Sequence, residues 1–550
     1  ISPIPKDAMF ETRIPFNRHF GVSPFYLDYL DKAPQIDRFF APIPLAERAR
    51  AIASRHYPRQ EMIDILLRQN THWGAPQVVL DNINKLTSET CLTVCTGQQA
   101  CLFGGAYMII LKALGAVKKA HQLEEQLSVP VVPLFWISAD DHDFREISFV
   151  DLFDAQGQLT RLNIDIPEGD LFPPVGRLTY DLTLDRELAH LRELLPENDF
   201  KAAALAPVEH HFCPGASIVD SFAAYLHHLI GRFGIVLFNP HDSQVKQLAA
   251  PIMQKIIRQH GEVKSALNSA AELLAGHGYA LQVQKSPTAA HLFAHLPERV
   301  PVHADGERFK AGEMTYSAAE LASAIDEHPL DFSPDVLTRP VVQSHLFPTV
   351  ATIGGPAETA YFAQLMPLFP LFGLTEPMVL SRPSGTLVEK KFEKLMARHD
   401  LSFVELLTDI EAVINRLFHD TFPIATDEKF ADLALQIQAG IADLQDRLIV
   451  LDPNLRDTIR QTGEKMDYQL QELKKKAFAA HKKRSAADRE QMYRLYHNLF
   501  PNRMPAERSI APLYFISRYG EGVIDFIFEN LQPDETHHQL LLLSGYYGQT

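Results

Sequence analysis

The chain has 550 residues, of which 46% are hydrophobic and 22% charged, which excludes a mainly disordered protein and exceeds what one hydrophobic core organises. A formal net charge of -16 opposes capture of a phosphate backbone, so nucleic acid is not an expected partner. The longest apolar stretches fall short of the roughly 18 uninterrupted residues a membrane helix needs, so no membrane association is expected.

The first informative segment, 90–94, is short, apolar and β-rich, and it runs into Thr96-Gly97-Gln98-Gln99 before a Gly104-Gly105 pair, which reads as a strand followed by a loop. Residues 106–127 then take helical periodicity, with Ile109, Ala113, Ala116 and Ala120 on one stripe. The nearly continuous apolar run 131–137 reads as a strand buried on both faces, completing a βαβ unit of a parallel sheet. It ends in Asp140-Asp141-His142-Asp143, with Glu146 close behind.

The pattern recurs with a helix over 217–232 and a strand over 234–240, then a further helix and a strand over 279–284. Two intervals, 151–179 and 292–314, carry hairpin signals and are assigned to insertions. Past Ser384 long amphipathic helices take over. Ala434, Ile437, Ile441, Leu444, Leu448, Leu451 and Leu455 step by three and four, and Met466, Leu470, Leu473 and Ala477 resume the seam. Asp452-Pro453 suits an N-cap followed by the first helical position, which predicts an antiparallel hairpin. The expected fold is α/β: a doubly wound parallel sheet over 1–383, with insertions near 151–200 and 290–335. A helical coiled-coil domain over 384–500 and a segment over 501–550 returning to the core follow.

The four cysteines, Cys91, Cys95, Cys101 and Cys213, include no Cys-x-x-Cys pair, and residues 1–7 lack a basic-then-apolar secretory pattern. A cytoplasmic location is expected.

In an open parallel sheet ligands settle beyond the carboxyl ends of the strands, where both loops fall. Thr96, Gln98 and Gln99 offer hydroxyl and amide groups, and Gly97, Gly104 and Gly105 admit a phosphate or carboxylate close to the backbone, although no GxxxxGK[ST] or GxGxxG occurs. Four carboxylates and an imidazole directly after a buried strand are a costly concentration of like charge, which points to a cation, an amine or a proton nearby. One of these acids is expected to cap the next helix and another to pair with Arg145, which leaves Asp141 and His142 as the functional choices. Lys112, Arg339 and Arg382 are the candidate anion partners, each equally readable as an ion pair. Glu358 opens the helix after Gly354-Gly355-Pro356-Ala357 and complements its dipole. His241 and Asp242 form a candidate cleft wall.

Several stretches together resemble the bacillithiol biosynthesis cysteine-adding enzymes, a family of cysteine ligases. They are Thr96-Gly97-Gln98-Gln99-Ala100 with Lys112, and Phe135-Trp136-Ile137 leading into Asp141-His142-Asp143-Phe144. Further on come Leu337-Thr338-Arg339-Pro340, Gly354-Gly355-Pro356-Ala357-Glu358 with Tyr361, then Glu507-Arg508 and Arg518-Tyr519-Gly520. The resemblance implies a Rossmann-like core related to class I aminoacyl-tRNA synthetases, inserted connecting segments and a coiled coil that makes a homodimer. It implies that the amine of glucosaminyl malate is joined to the carboxyl of cysteine. Because an amide needs an activated carboxyl, ATP is the inferred energy source, with a divalent metal such as Mg as a companion. On this reading Asp141, His142 and Asp143 are catalytic; Thr96, Gly97, Gln98, Gln99, Gly105 and Lys112 hold the nucleotide; Arg339, Glu358, Tyr361 and Arg382 hold substrate.

Cys101 stands where the family usually has Gly, and Gly104-Gly105-Ala106 where it has Thr-Gly-Pro. Two other classes compete: a metal-dependent hydrolase using Asp140 to Asp143, and a non-catalytic nucleotide-binding scaffold acting through its coiled coil.

Overall fold

Five strands make the central sheet: β1 (Leu92–Gln98), β2 (Val131–Ile137), β3 (Val236–Phe238), β4 (Thr349–Gly354) and β5 (Met378–Ser381). A computed structural model describes residues 12–165, 172–296, 298–418, 424–533 and 536–546; the N-terminal stretch 1–7 and part of the interval 151–179 lie outside the described residues. The strand order is β5-β4-β1-β2-β3, with every neighbouring pair parallel.

The period of two along a strand distributes its side chains to opposite faces. Leu92, Val94, Val131, Phe135 and Ile137 enter one apolar core, while Cys91, Cys95, Val132, Leu134 and Trp136 enter a second. A strand buried on both faces needs apolar residues at every position, which is why β2 lacks a polar alternation. Helix α1 (Met108–Leu127) covers the first face with the predicted stripe: Ile109, Ala113, Ala116 and Ala120 are all buried.

From β1 the chain moves through α1 to β2 and on to β3. It then returns across the sheet to lay β4 on the opposite side of β1. That reversal creates a topological switch point between β1 and β4, at whose carboxyl edge a crevice opens.

Two details of the central region differ from expectation. Strand β1 continues through Thr96, Gly97 and Gln98, which pair with Phe135, Trp136 and Ile137, so the expected loop residues are the last rungs of the ladder. Gly97 is required by packing: a Cβ there would lie 2.4 Å from the Trp136 carbonyl oxygen. The strand expected over 279–284 is also absent. Its alternating Tyr279, Leu281 and Val283 pack against neighbouring clusters as a strand would. The Gln364 side chain replaces a strand neighbour, accepting from the Val283 N–H and donating to its carbonyl, each at 2.9 Å.

The insertions are antiparallel, as their hairpin signals predict. Phe149–Phe153 pairs with Leu159–Asn163. Ala289–His295, Arg299–Asp305, Arg308–Ala311 and Met314–Ser317 form a meander, with Phe332–Pro334 on its other edge. Helices α2 (Arg339–Leu346) and α3 (Pro356–Leu365) flank β4 in sequence. Ser384–Val388 pairs in parallel with His537–Leu542, which pairs antiparallel with Arg13–Pro15. Residues 500–546 therefore belong to the compact unit that contains the central sheet.

Residues 394–499 form a separate unit. Its helices α4 (Ile424–Leu451) and α5 (Leu455–Leu499) run antiparallel, as shown by the Lys474 Nζ to Asp427 Oδ1 contact of 2.7 Å and by Gly463 facing Ile441. At the predicted turn the Asn454 N–H donates to Asp452 Oδ1 at 2.9 Å. Among the described residues no helix is long and apolar enough to cross a membrane.

Candidate active site

The crevice at the switch point is a cavity of about 690 Å³. Its floor is the end of β1 and of β4, tied together where Thr96 Oγ1 donates to the Ile353 carbonyl at 3.1 Å. The antiparallel insertion supplies another wall through Phe293, Arg299, Pro334 and Asp335.

One end is acidic. Asp140 is spent on the fold: Oδ1 accepts from His241 at 2.9 Å and Oδ2 from Lys246 at 2.6 Å. Burial alone would raise its carboxyl, but Lys246 and His241 hold it far below the usual carboxylate range. Asp141 reaches further into the cavity. Its Oδ2 accepts from the Gln99 amide at 2.8 Å, and its Oδ1 from the His142 backbone N–H at 2.8 Å and from Arg299 at 3.5 Å. Against the opposing effect of burial, His142, Arg299 and Gln99 keep Asp141 ionised well below the ordinary range.

The His142 ring takes a hydrogen bond at Nδ1 from Arg299 at 2.9 Å. A guanidinium has only donors, so the neutral imidazole carries its proton on Nε2. Arg299 is held in place by stacking, with its Cζ 3.6 Å from the centre of the Phe293 ring. Asp143 does not line the cavity; its carboxylate accepts from the Glu146 N–H at 3.3 Å and caps the short helix Phe144–Ile147. Glu146 itself lines the cavity, and burial, followed by Asp143 and Asp141, pushes its carboxyl up.

The other end is basic. Lys112, one turn into α1, is buried and donates to Gly97 O at 2.7 Å and Glu358 Oε2 at 2.5 Å. Burial lowers its pKa, and Glu358 opposes that shift. Glu358 also accepts from the Gly355 N–H at 2.7 Å, closing the start of α3. Arg382 is buried against Glu507 at 2.7 Å; burial would lower its pKa, but Glu507 raises it above the ordinary value. Arg339 lies over Trp136 with its Cζ 5.6 Å from the ring and donates to the neutral Gln343 amide at 2.9 Å. Burial pushes the adjacent Tyr361 hydroxyl up to about 12.

The cavity thus gathers Thr96, Gly97, Gln98, Gln99, Lys112, Asp141, His142, Arg339, Glu358, Tyr361 and Arg382 from segments far apart in sequence. It does not gather Asp143 or Gly105. With φ of +66° and a Cβ position 2.7 Å from Cys101 Cβ, Gly105 is fixed by the turn. The N–H groups of Gly104, Gly105, Tyr107 and Ile109 donate to carbonyls of the chain, and Thr96 and Lys112 are likewise spent. The expected phosphate cradle over 96–105 is therefore largely engaged internally.

Lys285, Arg299, Asp335 and Arg508 also line the cavity and were not assigned to a site by sequence. The first three sit on or beside the inserted meander, where no motif marks them. Arg508 is signalled only by its place in Glu507-Arg508. Among the described residues no group of three His, Cys, Asp or Glu side chains is placed to hold a metal ion, because Asp140, Asp141 and Asp143 face different partners.

Comparison with known proteins matches residues 9–383 to the bacillithiol biosynthesis BshC N-terminal Rossmann-like domain and residues 385–543 to the BshC C-terminal coiled-coil domain. A Salinibacter ruber protein named "Putative cysteine ligase BshC" is 30% identical over 502 residues, covering 90% of this chain and 91% of that protein. A Koribacter versatilis protein of the same name is 29% identical, covering 92% of this chain and 94% of its own length. A solved Campylobacter jejuni structure named "putative arginyl t-RNA synthetase", 10% identical and covering 78% of this chain and 92% of its own, gives a TM-score of 0.18, too low to bear on the fold. With both domain models matched in order over almost the whole length, the chain belongs to the bacillithiol biosynthesis BshC family.

Proposed function

We propose that this chain joins the carboxyl of cysteine to the amine of glucosaminyl malate, with ATP supplying the activation that amide formation requires. The observation that carries the reading is the lining of one cavity: a carboxylate, Asp141, fixed by Gln99, the His142 N–H and Arg299, together with two further guanidiniums, Arg339 and Arg508. The aligned relatives bear the name "Putative cysteine ligase BshC".

Among the cations lining the cavity, Lys112, Lys285, Arg299 and Arg382 each face an acid. Arg339 has a neutral amide partner, and among the described residues Arg508 makes no side-chain hydrogen bond or ion pair. Two guanidiniums without an acid partner suit the two carboxylates of a malate group. Asp141, held as an anion, accepts a hydrogen bond from the glucosaminyl amine and orients it. His142, whose Nε2 carries the proton, donates to a substrate oxygen. ATP and a divalent ion such as Mg enter through the chemistry of the reaction, because the segment 96–105 spends most of its donors on the chain itself.

The test is product formation from cysteine, glucosaminyl malate and ATP, followed by mass spectrometry. Arg339→Ala and Arg508→Ala are each expected to raise KM for glucosaminyl malate roughly tenfold or more, the loss of one charge-assisted contact of about 1.5–3 kcal/mol, while KM for ATP is unchanged. A rise confined to KM for ATP would instead assign these residues to phosphate.

We further propose that the helical unit makes a homodimer. Leu444 and Met466 are each 49% exposed and Leu473 is 57% exposed along the predicted seam, more apolar surface than the α4–α5 hairpin covers by itself. Sedimentation equilibrium is expected to give twice the chain mass, and Met466→Glu with Leu473→Glu to give the monomer. A monomeric wild type would refute the assembly.

A further inference from the structure

Forming an amide from a free amine releases one proton, and the group that takes it needs an available lone pair facing the cavity. Most groups at the acidic end are already committed. Asp140 gives both oxygens to His241 and Lys246. Asp141 accepts from Gln99, the His142 N–H and Arg299, which stabilise its anion and make it a weak base. His142 uses Nδ1 as an acceptor for Arg299, which leaves Nε2 as a donor. Asp143 faces away as a helix cap.

Glu146 is different. It lies on the same short helix, lines the same cavity and is exposed; among the described residues it forms no ion pair, and the Gln99 amide is its one side-chain hydrogen-bonding neighbour, which leaves lone pairs of the carboxylate available. Resting on the ligase reading, we propose that Glu146 is the proton acceptor of the ligation. The amine nitrogen forms a C–N bond to the activated cysteine carbonyl carbon. The bond from that carbon to the phosphoryl-bearing oxygen breaks, and its electron pair leaves with that oxygen. The N–H proton passes to the Glu146 carboxylate and then to water at its exposed side. The co-reactant that activates the carboxyl is a nucleoside triphosphate.

The surroundings of Glu146 favour this role. Partial burial, and after it the negative potential of Asp143 and Asp141 on the preceding loop, make the carboxyl more basic than an ordinary glutamate, against the opposing effect of the Gln99 amide. The other groups near it are Arg145 on its own helix, His142 on the same loop, and Gln99 and Cys101 from the segment after β1. Arg299 also lines the cavity, engaged by Asp141 and His142.

Glu146→Gln and Glu146→Asp provide the test, with kcat/KM for glucosaminyl malate measured against pH and carboxyl activation followed separately by trapping with hydroxylamine. Wild type loses activity on the acid side as Glu146 is protonated. In Glu146→Gln, kcat is expected to fall about 10²–10³-fold and the acid limb to disappear, with hydroxamate formation and KM little changed. Glu146→Asp is expected to retain part of the rate and a displaced acid limb. If wild type ligates and Glu146→Gln keeps both its rate and its acid limb, the assignment of Glu146 fails while the ligase reading stands. If wild type makes hydroxamate and amide from none of these substrates, the ligase reading fails and takes this assignment with it.

Discussion

Glu507→Gln is expected to cost about 3–5 kcal/mol of stability in the unit that contains the central sheet, the usual result of leaving one member of a buried ion pair uncompensated. Glu507 is 2% exposed, and its oxygens accept from Arg382 and Ser384 and from the Gly385 N–H, all at 2.7 Å. The variant keeps the shape of the side chain but leaves the buried Arg382 guanidinium without its carboxylate. Urea denaturation should show the midpoint falling with little change in slope. The double variant Arg382→Met with Glu507→Leu should lose less than Glu507→Gln, because no charge is then stranded. Equal losses would mean that the pair contributes through packing alone.

The same carboxylate predicts a pH dependence. Burial would raise the Glu507 pKa, but Arg382 and His538 hold it below its ordinary value. A folded pKa below the unfolded one gives stability that is full above the unfolded value, about 4.3, and is lost as pH falls through the folded value. Wild type should therefore lose stability on acidification more steeply than Glu507→Gln, which cannot titrate there.

Asp141→Asn is expected to lower kcat/KM for ligation by about 10²–10³-fold, since it removes a fixed negative charge aimed at the reacting amine in a partly enclosed site. Some stability is also at stake, because Arg299 loses its nearest acid, although Asp140 and Asp335 remain close enough to influence it. Circular dichroism and a thermal melt separate the two effects: a folded variant with the predicted loss supports the role. Wild-type activity in a folded variant would remove Asp141 from the reaction.

The central sheet was legible because burial on both faces leaves a continuous apolar run, as in Val131–Ile137, and because a helical stripe such as Ile109, Ala113, Ala116 and Ala120 has one reading. Tyr279, Leu281 and Val283 misled because alternation reports which side chains are covered, and here the backbone partner is the Gln364 amide, which no local pattern signals. In the site, position after a strand anticipated that Asp141 and His142 line the cavity but could not rank the acids around them. Their roles depend on Lys246, His241 and Arg299, which lie over 100 residues away. Glycine was the least informative signal: Gly97 answers to the Trp136 carbonyl and Gly105 to Cys101 and its own turn, both packing demands that resemble a ligand loop in sequence.

The most direct test of the central claim is ligation with cysteine carrying ¹⁸O in both carboxyl oxygens, together with glucosaminyl malate and ATP, and with all products weighed by mass spectrometry. The account predicts an amide product retaining one ¹⁸O, with the other transferred to the phosphate or nucleotide monophosphate released. Recovery of glucosaminyl malate and doubly labelled cysteine unchanged, with ATP intact, would contradict it.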